Sequence, residues 1–418
     1  MRCAWGRTGT SSRSEQGARI MSDRKLRVGF IGLGRGFMTM VGEFVAHPEI
    51  EVRGAADPRP EARARFESEF SGPAYPDAKS LCADPCIDAV YIATPHQFHV
   101  GDVRTAAAHG KHVLVEKPMA LTMADCQAMI DATEEAGVYM AVGRTHSSNG
   151  PVRRARELVR GGELGALRMI TAWDYTDFLY RPRRPEELDT NLGGGVIFNQ
   201  APHQVDMVRY IAGGLVKSVR AMTGNWDPQR PTEGSYSALL QFEGGAFGSI
   251  TYNGYAHFDS DEFMGWVGER GLPKDSGQYG AARRELAKIG SADQESRAKN
   301  AGGYGEKGLS DTSDPQQPLH PHFGVLIASC DRGDIRPVPQ GVIVHGDLER
   351  VQQPAPFGRS GTPRSAILDE LCDAFLRDIP PPHDGRWAMA TMEVCLAILQ
   401  SSREGREVTL SRQCRLPD

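Results

Sequence analysis

Residues 26–31 (LRVGFI) form a short apolar run bounded by glycine, the pattern of a parallel strand buried on both faces. The next stretch, FMTMVGEFVAH, carries apolar residues at helical spacing. A second strand pattern, IEVRGAADP over 50–58, follows and holds Asp57 near its end. The alternation continues. EARARFESEF reads as a helix, DAVYIATP (88–95) as a strand, VGDVRTAAAHG (100–110) as a helix and KHVLVEKP (111–118) as a strand. Helix 122–137 then leads to strand VYMAVG (138–143). Strands and helices joined by short links predict a doubly wound parallel sheet, a Rossmann domain over 25–145. Beyond it the pattern changes. A helix over 151–161 precedes a longer β-branched and aromatic strand, ALRMITAWDYT, and 235–255 reads as a hairpin around Gly244-Gly245. Amphipathic helices are expected at 364–377 and 386–403. The expected fold is therefore an α/β N-terminal Rossmann domain plus an α+β C-terminal domain, 146–410, with a large, mainly antiparallel open sheet. Residues 268–320 are rich in Gly, Ser and charge and lack periodicity, which predicts a surface excursion, a candidate lid. Residues 1–24 read as a disordered tail, with Met21 resembling a natural start.

Composition narrows the function. A chain of 418 residues exceeds what one core usually organises, in keeping with two domains. With 40% hydrophobic and 24% charged residues, general disorder is not expected. The net charge of -5, with both signs mixed, provides no basic stripe for nucleic acid. No apolar run reaches the ~18 residues of a membrane span, and the first residues lack a signal peptide's apolar stretch. A cytoplasmic protein acting on a small molecule is expected. Of eight cysteines only Cys82 and Cys86 are close, so reduced thiols and no metal site are expected.

The first strand runs into Gly32-Leu33-Gly34-Arg35-Gly36-Phe37 and then a helix. Gly32 suits a tight turn, and Gly34 lets the backbone approach a pyrophosphate at the helix N-terminus. Phe37 stands where the usual third glycine falls, with Gly36 one place early. Asp57, closing the second strand, would accept hydrogen bonds from both ribose hydroxyls and repel a 2′-phosphate. NAD is therefore expected over NADP, although Arg59 nearby weakens that preference.

Three further blocks carry a resemblance. Ala93-Thr94-Pro95 with His99, then Glu116-Lys117-Pro118, then Gly193-Gly194-Gly195-Val-Ile-Phe-Asn199-Gln-Ala-Pro-His203-Gln-Val-Asp206, together with the tail DGRWAMATMEVCLAILQSSREGREVTL, make the chain similar to the Gfo/Idh/MocA oxidoreductases over about 25–410, interrupted by 268–345. The resemblance implies that Thr94, Pro95, His99 and Glu116 support the cofactor, and that Lys117 and His203 sit beside the nicotinamide. Histidine, with an unperturbed pKa near ~6.5, can take the proton released when a carbinol is oxidised. A lysine ammonium can stabilise the developing alkoxide. Many relatives carry Asp where this chain has Asn199, which can orient a hydroxyl but cannot accept its proton. The peptide before Pro118 is a candidate for the cis form. The resemblance also implies that the exposed face of the second sheet packs on a partner subunit, giving a homodimer or homotetramer.

Within the family, the segments AVGRTHSSNGPVRRA, WDYTDFLYRPRRPEELDTNLGGG and SITYNGYAHFDSDEFMGW resemble the phthalate 4,5-cis-dihydrodiol dehydrogenase branch. That implies NAD-dependent oxidation of a cis-dihydrodiol to a catechol. A dicarboxylate substrate needs cations, and Arg144, Arg181, Arg183 and Arg184 are the candidates. The alternative for the last three is pairing with Glu186, Glu187 and Asp189. Tyr175, Phe178 and Tyr180 are candidates for an apolar ring pocket. The rival functions are an inositol- or sugar-type dehydrogenase, an NAD-dependent glycosidase and a non-catalytic NAD-binding sensor.

Overall fold

The computed structural model describes residues 24–143, 146–301, 303–304 and 319–416. Apart from Arg24 the expected tail, Met21 included, falls outside these residues, and so does Arg144. The first sheet is parallel, in the order β3-β2-β1-β4-β5-β6. Its strands are β1 (Leu26–Ile31), β2 (Ile50–Ala56), β3 (Ala74–Tyr75), β4 (Ala89–Ile92), β5 (His112–Val115) and β6 (Met140–Val142). The helices between them are α1 (Arg35–Ala46), α2 (Pro60–Phe70), α3 (Ala78–Cys82), α4 (His99–Ala108) and α5 (Met123–Glu135). The order reverses at β1, with β2 on one side and β4 on the other. That switch point opens a crevice at the strands' carboxyl ends, where α/β sheets bind ligands.

Helix α6 (Gly150–Gly161) leads into the second sheet, whose order is β14-β13-β12-β11-β7-β10-β9-β8-β15. The predicted long strand is β7 (Leu167–Tyr175), and the predicted hairpin is β9 (Ser235–Phe242) with β10 (Phe247–Asn253). Only β7 and β10 pair in parallel. Before the hairpin come α7 (Gly195–Asn199), α8 (Ala201–Ala212) and β8 (Val216–Gly224). After it come α9 (Ala281–Ala287), α10 (Ala292–Asn300) and four strands: β11 (Val325–Cys330), β12 (Gly333–Val338), β13 (Gly341–Gly346) and β14 (Arg350–Gln353). Helices α11 (Ala366–Arg377) and α12 (Gly385–Glu404) and strand β15 (Val408–Thr409) close the chain. Helices α8 and α12 cover one face of this sheet, burying Val205, Val208, Val394 and Ile398 against Val219, Ala221, Leu240 and Ile250.

Two placements differ from the sequence expectation. Helix α11 lies within the expected second domain, yet its Ile367, Leu368, Leu371 and Cys372 join the core of the first sheet beside Leu26 and Phe44. An amphipathic face declares that it will be buried, not which sheet buries it. The excursion is also more than a surface loop, because Tyr304 is fully buried against Phe37 of α1, ring centroids 5.0 Å apart. Among the described residues no helix is long and apolar enough to cross a membrane.

Candidate active site

The glycine loop is shaped by contact. Gly32 adopts φ +90, and a Cβ there would stand 2.9 Å from the backbone nitrogen of Thr94. The turn can therefore close only with glycine. Gly34 caps α1 without a side-chain partner and has open space around it, so the helix's first N–H groups face the crevice. A dinucleotide pyrophosphate fits this cradle. Phe37 does not line it: its ring is buried between Phe30 and Tyr304, so only its backbone belongs to the loop.

Asp57 is buried and accepts from the Leu33 backbone N–H at 2.9 Å, which ties β2 to the glycine loop. Its carboxylate also receives Arg59 Nε at 2.9 Å, while Arg59 Nη2 donates to the Leu33 carbonyl at 2.9 Å. Burial alone would raise the Asp57 pKa. The side-chain and backbone bonds from Arg59, with that from Leu33, outweigh it and lower the pKa. Asp57 is thus an ionised acid just beyond the end of β2, beside the glycine loop, with Arg59 folded onto it.

On the opposite side of the crevice, Thr94 donates to Asp102 at 2.7 Å. Buried His99 bridges the Thr94 carbonyl (3.0 Å) and the Pro118 carbonyl (3.1 Å). Burial pushes its pKa down to about 4, so the ring is neutral, carries one N–H and donates to one of these two carbonyls at a time. Glu116 accepts from Tyr91 at 2.6 Å and from the Lys117 backbone N–H at 3.2 Å. The Lys117–Pro118 peptide is cis.

Lys117 Nζ donates to the backbone carbonyl of Asn199 at 2.7 Å. This contact joins the end of β5 to the Gly block between the two sheets. The Asn199 amide donates to the Gly195 carbonyl at 2.8 Å and the Gly193 carbonyl at 3.2 Å. Its N–H groups therefore shape the Gly block, where sequence reasoning had them orienting a hydroxyl. Gly193, at φ +83, lies so close to His96 that a Cβ would fall 2.5 Å from its Nε2. Burial, then the charges of Lys117 and Arg184, lower the His96 pKa.

His203, in the first turn of α8, is 5% exposed. Its ring meets His146 edge-on at 4.9 Å and Phe323 at 5.1 Å. A small cavity beside it is lined by Lys117, Pro202, Asp206, Trp387 and Thr391. Asp206 accepts from Trp387 Nε1 at 2.5 Å and from Ser147, which also lies 2.8 Å from His383. His383 in turn meets Glu370 at 2.8 Å. Sequence reasoning missed His146, Phe323 and His383, and it placed Asp206 in the third block without giving it a role. For Asp206 a signal existed, one helical turn after His203 on the same face.

The arginine loop lies on the far side of the Gly block, and its side chains are paired. Arg181 contacts Asp177 at 2.7 Å and Glu269 at 3.2 Å. Arg183 and Arg184 both approach Glu187, at 3.6 Å and 3.4 Å. Arg183 also stacks on Phe178, 3.7 Å from the ring centroid. Tyr175 is not in the site. Strand alternation buries Ile170, Ala172 and Asp174, so Tyr175 points outward beside Trp173 and Phe258. Tyr180 is buried, donating to Asp227 under the Arg283 guanidinium. Away from the crevice, ligand atoms of His47, Glu49 and Cys372 come within 4.8 Å of one another. The Glu49 carboxylate there is already held by Arg359 and Arg377.

A glycine-cradled crevice, an ionised acid just beyond β2 and a lysine aimed across the crevice are the features of a nucleotide-dependent oxidoreductase. Residues 26–144 match the oxidoreductase family GFO_IDH_MocA, NAD-binding Rossmann fold, and residues 152–272 match the GFO/IDH/MocA C-terminal domain. The chain belongs to this family and is an NAD-dependent dehydrogenase.

Among relatives, it is 42% identical over 380 residues to 1-carboxy-3-chloro-3,4-dihydroxycyclohexa-1,5-diene dehydrogenase of Comamonas testosteroni, covering 90% of this chain and 95% of that one. Over 259 residues it is 29% identical to myo-inositol 2-dehydrogenase of Thermotoga maritima, covering 59% of this chain and 74% of that one. A dehydrogenase structure from Bordetella bronchiseptica RB50 superposes with a TM-score of 0.88 at 42% identity, covering 92% of this chain and all of that one.

Proposed function

We propose that the protein oxidises a carboxylated cis-dihydrodiol of a cyclohexadiene ring to the corresponding catechol, with the phthalate 4,5-dihydrodiol as the first substrate to test. The observation that carries this reading is the charged cluster beyond the Gly block, where Arg183, Arg184 and Lys299 face the two carboxylates of Glu186 and Glu187. The name of the Comamonas relative's substrate supports it, with one carboxyl and two neighbouring hydroxyls on a cyclohexadiene.

NAD+, when bound, supplies the hydride acceptor. Lys117, aimed by the Asn199 carbonyl, donates to the substrate oxygen and stabilises the negative charge that grows there as the hydroxyl proton leaves, before the C–H electron pair departs as hydride. His203 takes the hydroxyl proton. The resulting hydroxy-ketone loses a ring C–H proton, its oxygen gains one, and aromatisation draws the sequence forward. Asp57 favours the free ribose hydroxyls of NAD over the 2′-phosphate of NADP.

The test is NADH formation with the phthalate cis-dihydrodiol, a monocarboxylated cis-dihydrodiol, an uncarboxylated cis-dihydrodiol, myo-inositol and glucose. Turnover confined to the carboxylated diols supports the reading, and their ratio separates one carboxylate from two. Turnover of inositol or glucose instead assigns the protein to the polyol dehydrogenases. Silence on all five rejects the dihydrodiol reading.

A further inference from the structure

Helix α10 belongs to the stretch whose sequence promised only a loop, yet two of its side chains, one turn apart, reach the arginine loop. Glu295 accepts from the Arg183 backbone N–H and from Arg230, both at 2.7 Å. Lys299 contacts Glu187 at 2.9 Å. Five residues further on, Tyr304 is anchored in the first domain, its ring on Phe37 and its hydroxyl on Glu69 at 2.7 Å. The excursion therefore spans from the second sheet to the helix that starts at the glycine loop.

This span leaves buried positive charge in excess. The side chains of Arg183 (6% exposed) and Lys299 (13%) lean on one carboxylate, Glu187 (9%). Arg184 lies between it and Glu186, at 3.4 Å and 3.2 Å. Arg183 Nε is buried with no hydrogen-bond partner, although its Nη2 donates to the Phe178 carbonyl at 2.7 Å. Burial, with the charges of Arg183 and Arg35, lowers the Lys299 pKa to about 7. Glu187, against its own burial, is brought down to about 2 by Lys299 and Arg183. Arg35, at the mouth of the glycine loop, belongs to the same field. Cations removed from water are costly unless an anion joins them.

We propose that Lys299, carried by the excursion, is an anion-binding residue that together with Arg183 grips an anionic oxygen group of a bound ligand. That group is either a phosphate of the dinucleotide or the carboxylate of the substrate. Only the carboxylate source rests on the dihydrodiol reading.

The full chain with Lys299→Met or Lys299→Arg tests this by binding, without turnover. Two affinities are read: NADH by fluorescence titration, and 3,4-dihydroxybenzoate against catechol on protein saturated with NAD+. Lys299→Met is expected to weaken one anionic probe by about tenfold, the scale of one charge-assisted hydrogen bond, with Lys299→Arg restoring most of it. Loss confined to NADH assigns the phosphate. Loss confined to 3,4-dihydroxybenzoate, with catechol unchanged, assigns the carboxylate. Unchanged affinities for both anions overturn the proposal, and so does equal loss for all three ligands.

Should Lys299→Met fail to fold, acetylation of Lys299 in the unmodified protein replaces it, read by mass spectrometry with and without each ligand. Protection by NADH or by 3,4-dihydroxybenzoate but not catechol supports the proposal, and unchanged labelling overturns it. Because these are binding readouts, a failed turnover panel would reject the dihydrodiol reading and leave this result standing.

Discussion

Lys117 and Asn199 divide their work unusually. The lysine ammonium is positioned by a backbone carbonyl, and the asparagine side chain fixes the glycine backbone that presents it. Lys117→Met is therefore expected to remove the oxygen-stabilising donor and leave the cofactor cradle in place. Its kcat should fall by roughly 10²–10³-fold, with NADH affinity within about threefold of the unmodified protein. Stopped assays and a fluorescence titration read the two separately. Asn199→Asp would place a carboxylate against the Gly193 and Gly195 carbonyls, which offer no donor. That substitution should slow turnover even though it restores the residue many relatives carry.

Beside the glycine loop Asp57 holds Arg59 folded back on itself. With Asp57→Ala the repelling charge goes and the guanidinium is released toward solvent. The ratio of kcat/KM for NAD to that for NADP should drop by at least about tenfold. An unchanged ratio would mean that Arg59 stays on the Leu33 carbonyl and that the acid does not set the preference.

At the scale of elements, the chain Glu370–His383–Ser147–Asp206 ties α11, the start of α12, the segment after β6 and α8 into one buried network. Burial opposes a charge on His383, but Glu370, and less strongly Asp206, raise its pKa above the ordinary value. A histidine with a raised folded-state pKa contributes stability that is complete below the unfolded value near ~6.5 and is lost as pH rises through the folded value. Thermal melts should therefore show Tm declining above about pH 6.5. In His383→Gln that slope should vanish and Tm should be lower throughout, since breaking a buried charged pair costs about 3–5 kcal/mol. A His383→Gln protein with the same pH slope would remove His383 as its source.

Elements were legible in the sequence to the degree that their own residues determined them. β1, the glycine loop, α1 and β2 were readable because turn, apolar run and acid all lie within one stretch of chain. The β9–β10 hairpin was readable from alternation around Gly244-Gly245. Strands β11–β14 were not foreseen: they are short, and Pro337 interrupts β12. Helices α9 and α10 bury none of their residues, so no apolar stripe announces them. Their positions come from ion pairs such as Lys299–Glu187, whose partner lies more than a hundred residues away. The candidate site divides in the same way. Lys117 and His203 could be named from motifs, whereas His146 and Phe323 meet His203 only through tertiary folding.

At the scale of the molecule, the second sheet has one face under helices and one face bare. On the bare face Met222 of β8, Leu239 of β9 and Phe247 of β10 are 70%, 56% and 48% exposed. Trp226, Phe258 and Phe263 extend the apolar surface nearby. The register brings Leu239 opposite Ser249 and Phe247 opposite Met169, so these side chains form one patch spread across adjacent strands. A patch of this kind on a monomer would be an association hazard, whereas a self-complementary one suits a two-fold interface. We propose that the protein is a homodimer or homotetramer through this face. Light scattering on the unmodified chain should give at least twice the mass of a single chain. Leu239→Glu with Phe247→Glu, which set two charges in the patch and leave the buried side of the sheet untouched, should shift the mass toward the monomer. His203, on covering helix α8, and Lys117 lie on the helix-covered side of the sheet, away from the bare face. The dissociated variant should therefore still bind NADH, losing thermal stability in proportion to the interface it gives up. A single-chain mass for the unmodified protein would refute the assembly, and an intact oligomer in the double variant would move the interface to another surface.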